Sequence, residues 1–308
     1  MKDNRFTGLI VATFSPFDPK GNLYPDGIRD YAEYLVSKGV SGVFVCGTSG
    51  EGLLLSVSER MQLLEAWMPY QKHLKIIAHV STPNYVEASV LAGHAGQVGV
   101  DAIACMGPCY LPPKDPEELV EFNRIVAASA PDIAYYYYHM PLVSGVHIKM
   151  NQFLKKIGDR IPNFSGIKFT APDMMDMQEC ILMDGGKYDI LHGSDGIFLS
   201  GLTAGAKGGI GTSFNIIPDV FQEIIQAYEA GSIEEARELQ MQAVGVLKIL
   251  HKYGGSVVST KAILNMMGFE LGPCRLPLKN LSGNELLELK DELNAIGFFD
   301  RFKYAENS

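Results

Sequence analysis

Three short segments carry side chains whose types and spacing could do chemistry. The first is Phe164-Ser165-Gly166-Ile167-Lys168-Phe169-Thr170, which reads as a strand with side chains alternating between two faces. Ile167 and Phe169 share one face, and Gly166, Lys168 and Thr170 share the other. The bulky pair suits a helix-facing side, which turns Lys168 inward. Desolvation penalises an ammonium, and the resulting free amine is a nucleophile towards a carbonyl carbon and can form a Schiff base. Taken alone, a strand lysine is more often exposed or snorkelling, because buried lysine is rare without a partner. The second segment is Ile133-Ala134-Tyr135-Tyr136-Tyr137-Tyr138-His139-Met140-Pro141. Four tyrosines put two rings on each face and are packing residues by default. Tyr138 lies nearest the C-terminal end, where a phenol could relay a proton to or from a substrate oxygen. The third is Cys46-Gly47-Thr48-Ser49-Gly50-Glu51-Gly52. There a turn after a strand could converge backbone N–H groups on an anion, with the Thr48 and Ser49 hydroxyls as further donors. The same composition also suits an ordinary turn.

The elements that must hold these segments follow a regular alternation. Apolar runs at 8–14, 42–48, 75–81, 102–107, 133–138, 164–170, 189–194 and 208–213 are bounded by Gly, Pro or Ser, as buried parallel strands are. Their starts lie roughly 20–35 residues apart, which suits a strand plus a crossover helix. Ile28, Tyr31, Ala32, Leu35 and Val36 mark the apolar face of a first helix, closed by Gly39. Ser58-Glu59-Arg60-Met61 is read as the start of a second, continued by Leu63, Leu64 and Trp67. Eight such units predict an α/β protein, a (β/α)8 TIM barrel over 1–230. Three further amphipathic stretches (233–253, 258–267 and 283–296) predict a C-terminal helical extension over 231–308, packed on the barrel. A doubly wound sheet is disfavoured because no GxGxxG follows the first strand and no GxxxxGK[ST] occurs anywhere.

Composition excludes other classes. The 308 residues carry Lys+Arg 26 against Asp+Glu 35, a net charge of −9 without a basic block, which argues against nucleic-acid binding. No run approaches the ~18 apolar residues of a membrane span, and the run at 9–12 is too short for a signal peptide. Five cysteines without a CxxC pair read as reduced thiols in a cytoplasmic protein. Seven histidines without HxH or HxxxH give a metal site little support.

Taken in order, Gly47-Thr48-Ser49-Gly50-Glu51, Tyr138-His139-Met140-Pro141 and Gly166-Ile167-Lys168-Phe169 resemble three motifs of one family. These are the carboxylate loop, tyrosine and Schiff-base lysine motifs of the pyruvate-dependent class I aldolases, the dihydrodipicolinate synthase / N-acetylneuraminate lyase family. The resemblance covers the whole barrel and is closest to the lyase branch. Tyr138-His139-Met140-Pro141-Leu142-Val143-Ser144 lacks the arginine with which the synthase branch holds its second substrate's carboxylate. The stretch 47–60 and Arg275-Leu276-Pro277-Leu278 are also lyase-like. The resemblance implies reversible cleavage of N-acetylneuraminate to pyruvate and N-acetylmannosamine, with Lys168 as Schiff-base lysine and Tyr138 as proton relay. It further implies sugar contacts at Thr170, Gly193, Asp195 and Thr212, and a relay completed by Tyr110 of an adjoining subunit in a homotetramer. From the residues alone Tyr110 reads as a packed loop aromatic. Because the imine is the electron sink, neither metal nor organic cofactor is expected. One departure stands out: Gly193-Ser194-Asp195-Gly196 keeps the aspartate of the lyase pattern and loses the glutamate after it.

Three rival readings remain at this point. One is a related aldolase, acting on another 2-keto-3-deoxy sugar acid or in the manner of the synthase branch. Another is a phosphate-binding barrel using Gly205-Ala206-Lys207-Gly208-Gly209-Ile210-Gly211. The last is a non-catalytic sugar-acid sensor.

Overall fold

A computed structural model describes residues 5–301. Eight parallel strands close into a barrel in chain order: β1 (Gly8–Ala12), β2 (Gly42–Val45), β3 (Lys75–His79), β4 (Ala102–Met106), β5 (Ala134–His139), β6 (Phe164–Phe169), β7 (Asp189–His192) and β8 (Gly208–Gly211). Each crossover carries helix: α1 (Ile28–Ser37), α2 (Val57–Trp67), α3 (Tyr85–Val98), α4 (Pro116–Ala127), α5 (Pro141–Ser144), α6 (Met150–Ile157), α7 (Met174–Leu182) and α8 (Phe198–Ala204). After β8 come α9 (Pro218–Glu229), α10 (Ile233–Lys252), α11 (Gly255–Met266) and α12 (Gly283–Ala295). The chain is therefore a (β/α)8 TIM barrel with further C-terminal helices.

Alternation along the strands sorts the core into two layers. Ile10, Phe44, Ile77, Ala104, Tyr136 and Tyr138 fill the barrel interior, whereas Tyr135, Tyr137, Ile167 and Phe169 pack outward among the helices. The inward position of Lys168 follows from the same period, since it lies between the two outward residues. At the bottom of the barrel, Tyr136 donates to Asp189 Oδ2 at 2.8 Å, and the Phe6 amide donates to the same oxygen at 3.0 Å. Gly166 sits beside this pair, and a Cβ there would stand 1.8 Å from the Asp189 carbonyl oxygen and 2.9 Å from the Tyr136 ring. Gly166→Ala is expected to force strands β6 and β7 apart and cost about 1–3 kcal/mol or more, read as a lower thermal midpoint.

Local capping corrects one boundary. Helix α2 begins at Val57 rather than at Ser58, because Ser56 and Glu59 form a reciprocal capping box that satisfies two otherwise orphaned amides. Residues 208–211 of the glycine-rich run are strand β8 rather than loop. Gly208 and Gly209 lie against the Gly8 and His192 carbonyl oxygens, 2.6 and 2.7 Å from where a Cβ would be. Close packing of strands, not a phosphate cradle, accounts for those glycines, and Lys207 is exposed. Among the described residues no helix is long and apolar enough to cross a membrane.

Candidate active site

The site is built at the C-terminal ends of the strands, where the connecting loops of a barrel converge. Register sets its centre: Lys168 on β6 pairs with Tyr138 on β5, which pairs in turn with Met106 on β4. Lys168 is 4% exposed. Its Nζ lies 4.0 Å from the centre of the Phe44 ring and 4.1 Å from that of Tyr138. Burial lowers its pKa from 10.5 to about 7, against the opposing pull of Asp195. That depression amounts to about 5 kcal/mol against the ammonium. Desolvation outweighs the pull of Asp195, so free amine is populated at neutral pH. The rate of imine formation is expected to climb about tenfold per pH unit below 7 and to level off above it, as read by cyanoborohydride trapping with pyruvate from pH 5.5 to 9.

Tyr138 stands in an aromatic box, with Phe44 and His79 both edge-on to it at 5.5 and 5.6 Å between ring centres. Its hydroxyl lies 3.4 Å from Thr48 Oγ1 and donates to the Met140 thioether. Burial raises the phenol to about 12, partly countered by the Thr48 and Thr170 hydroxyls. Tyr138 is therefore protonated throughout the neutral range, so any proton transfer through it needs a neighbour, and the Thr48 hydroxyl is the one beside it. His79 was not singled out from the sequence, although its inward place at the end of β3 could have pointed to it. It is buried, with Nδ1 against the Cys46 carbonyl at 2.8 Å and Nε2 against Ser81 Oγ at 2.7 Å. Burial, Arg60 and Lys168 all hold it neutral, well below the ordinary histidine pKa.

The β2–α2 turn closes one side of the site. Glu51 N–H donates to the Thr48 carbonyl and Gly52 N–H to the Gly47 carbonyl, while among the described residues the Thr48 and Ser49 amides donate to no backbone carbonyl. Ser49 is buried and its Oγ is 2.7 Å from Thr212 Oγ1, which ties this turn to the one after β8. A hollow of 220 Å³ opens beside it, lined by Gly47, Thr48, His79, Met106 and Val143 among others. Larger grooves of 740 and 770 Å³ lie along the outer helices, and Lys168 lines none of the three.

The remaining sequence candidates divide in two. Thr170 and Gly193 meet, since a Cβ at Gly193 would stand on the buried Thr170 hydroxyl. Asp195 Oδ2 accepts from Ser213 N and Ser213 Oγ at 2.7 and 2.6 Å, so one carboxylate oxygen is committed inside the fold. Burial raises the Asp195 carboxyl while Lys168 pulls it back down, so this aspartate is an electrostatic neighbour of the amine as well as a rim residue. Tyr110 is not brought to the site by its own chain. It is 81% exposed in the loop after β4 and does not pack, contrary to the loop-aromatic expectation.

A buried amine flanked by a tyrosine and an anion-ready turn is the arrangement on which the sequence motifs converge, and residues 5–296 match the model of the dihydrodipicolinate synthetase family. The chain belongs to that family. It is 35% identical to the N-acetylneuraminate lyase of Mus musculus over 299 residues, 96% of this chain and 93% of that protein. The solved N-acetylneuraminate lyase of Proteus mirabilis superposes with a TM-score of 0.92 at 34% identity, covering 96% of this chain and 99% of that one. A catalytic lysine mutant of the Ruminococcus gnavus sialic acid aldolase superposes with a TM-score of 0.91 at 31% identity, covering 98% and 99%. Within the dihydrodipicolinate synthetase family, this chain carries a hydrophobic Leu142-Val143 pair after Pro141, exposed at 91% and 41%. No bidentate cation stands there to grip a second carboxylate.

Proposed function

We propose that this protein is a carbon–carbon lyase that reversibly cleaves N-acetylneuraminate to pyruvate and N-acetylmannosamine through a Schiff base on Lys168. The observation that carries the reading is the desolvated Lys168 amine, paired in register with Tyr138, whose hydroxyl lies 3.4 Å from Thr48 Oγ1 in the β2–α2 turn. The names of the lyases and aldolases that the chain resembles over nearly its whole length support the substrate.

The substrate's carboxylate docks on the Thr48 and Ser49 amides, which aims C2 at Lys168 Nζ. The amine adds to C2 and water leaves, giving an iminium ion. Tyr138, relaying through Thr48, takes the proton of the C4 hydroxyl. The C3–C4 bond then breaks, its electrons pass into an enamine, and the aldehyde of N-acetylmannosamine departs. The relay returns that proton to C3, which regenerates the iminium, and water hydrolyses it to pyruvate and free Lys168. Electrons leave and return within this covalent adduct, so the cycle balances with substrate, water and protein groups.

Thr170, Gly193, Asp195 and Thr212 face the sugar tail. Tyr110 of a second copy completes the proton relay in a homotetramer, a reading supported by its exposure beside exposed Leu111. We place the protein in the cytoplasm, in keeping with five free cysteines. Pyruvate release from N-acetylneuraminate and from 2-keto-3-deoxygluconate, compared as kcat/KM, tests the substrate. A clear preference for N-acetylneuraminate is expected, and the reverse order assigns the enzyme to a shorter sugar acid.

A further inference from the structure

One buried ion pair lies outside the reacting groups and joins two parts of the chain 210 residues apart. Glu51, two residues after Ser49, is held in the left-handed region at φ 55°, a conformation that a non-glycine residue keeps only when its surroundings impose it. The side chains of Glu51 and Lys261, on α11, are 0% and 1% exposed. Lys261 Nζ donates to Glu51 Oε1 at 2.8 Å and to the Pro273 carbonyl at 2.8 Å. The Arg275 amide donates to Glu51 Oε2 at 2.6 Å. Arg275 then reaches across to the Gly21 carbonyl at 2.9 Å and to Glu59, the capping glutamate of α2, at 3.0 Å. Both cations stack on Phe17, at 4.2 and 4.4 Å. Gly52 completes the lock, because its α-carbon packs so closely on the start of the turn that a Cβ would stand 1.8 Å from the Cys46 carbonyl oxygen.

Such a pair adds little net stability compared with apolar residues of the same size, so its effect is sought in geometry. The Glu51 amide donates to the Thr48 carbonyl, so the position of Glu51 sets that of the amides ahead of it. We infer that Glu51, Lys261 and Arg275 are positioning residues, through which the C-terminal helices hold the Thr48–Ser49 turn in the shape that binds the substrate's carboxylate. This rests on the proposed Schiff-base reading, and the test separates the two.

The full-length chain is titrated with pyruvate, and separately with hydroxyacetone, which has the ketone and lacks the carboxylate. Iminium formed on Lys168 is trapped with cyanoborohydride. In Glu51→Gln and in Lys261→Met the half-saturating pyruvate concentration is expected to rise about 10-fold or more, with hydroxyacetone unchanged and the saturating trapping rate retained. Arg275→Ala, on the partly exposed side of the strap, tolerates change better and is expected to shift pyruvate in the same direction by about 3-fold. An unchanged pyruvate titration in a folded variant, or equal shifts for both ketones, overturns the positioning role. If the unaltered protein traps neither ketone, the Schiff-base reading fails instead, and the positioning role with it.

Discussion

Lys168→Met is expected to abolish cleavage, lowering kcat by roughly 10⁵-fold or more, while leaving a protein at least as stable as the original. The two halves of this expectation come from one observation. Lys168 is buried over the Phe44 and Tyr138 rings, and burial depresses its pKa from 10.5 to about 7. The chemistry uses the unprotonated amine as its only nucleophile, so no neighbouring group substitutes for it. His79 stays neutral with both ring nitrogens engaged, and Lys261 is held by Glu51 and Pro273. The stability half follows from linkage. A base with a lowered folded pKa binds more protons when unfolded, so its burial opposes folding fully below pH 7, and that opposition fades as pH rises towards 10.5. Methionine fills the same slot between the rings without a charge. Its thermal midpoint should therefore exceed that of the original protein at pH 6 and approach it near pH 10, as thermal unfolding at both pH values would show. Loss of activity with loss of folding would mean that Lys168 is structural.

Tyr138→Phe is expected to separate the two covalent steps. The phenol is needed where the C4 hydroxyl proton leaves, not where the amine adds to the ketone. Cleavage should fall by roughly 10²–10⁴-fold, while pyruvate trapping on Lys168 persists at a similar rate. Phenylalanine keeps the edge-on contacts with Phe44 and His79 and removes only the hydroxyl facing Thr48. Its pKa of about 12 carries a second consequence: the cleavage rate has no falling limb from this phenol below pH 9. Single-turnover measurements that resolve imine formation from pyruvate release distinguish the steps. Equal losses in both would move Tyr138 from proton relay to packing.

Much of this was legible before the structure because a buried parallel strand is a simple object. Period-2 alternation placed Lys168 inward, with Ile167 and Phe169 outward, and put Tyr136 and Tyr138 on one face; the closed barrel turned that face inward and made Tyr138 and Lys168 neighbours. The hydroxyl turn at Thr48–Ser49 was legible for the same reason, as the segment that leaves a strand at the mouth. What the sequence did not display was anything decided by distance along the chain. The bond from Asp195 to Ser213 and the link from Ser49 to Thr212 join separate loops. The pairing of Glu51 with Lys261 needs the C-terminal helices to be folded back first. No local pattern encodes such contacts. The start of α2 was missed by one residue, because the capping pair Ser56 and Glu59 is a three-residue signal set just ahead of the apolar stripe. Tyr110 belongs to a further class: it is exposed within its own chain, so the role proposed for it depends on a second copy.

The central claim is covalent, so it is tested most directly by capturing the covalent species. The protein is incubated with pyruvate, reduced with borohydride, digested and mapped by mass spectrometry. A single reduced pyruvate adduct on the peptide bearing Lys168 is the predicted result. An adduct on another lysine, or no adduct at saturating pyruvate, would contradict the account.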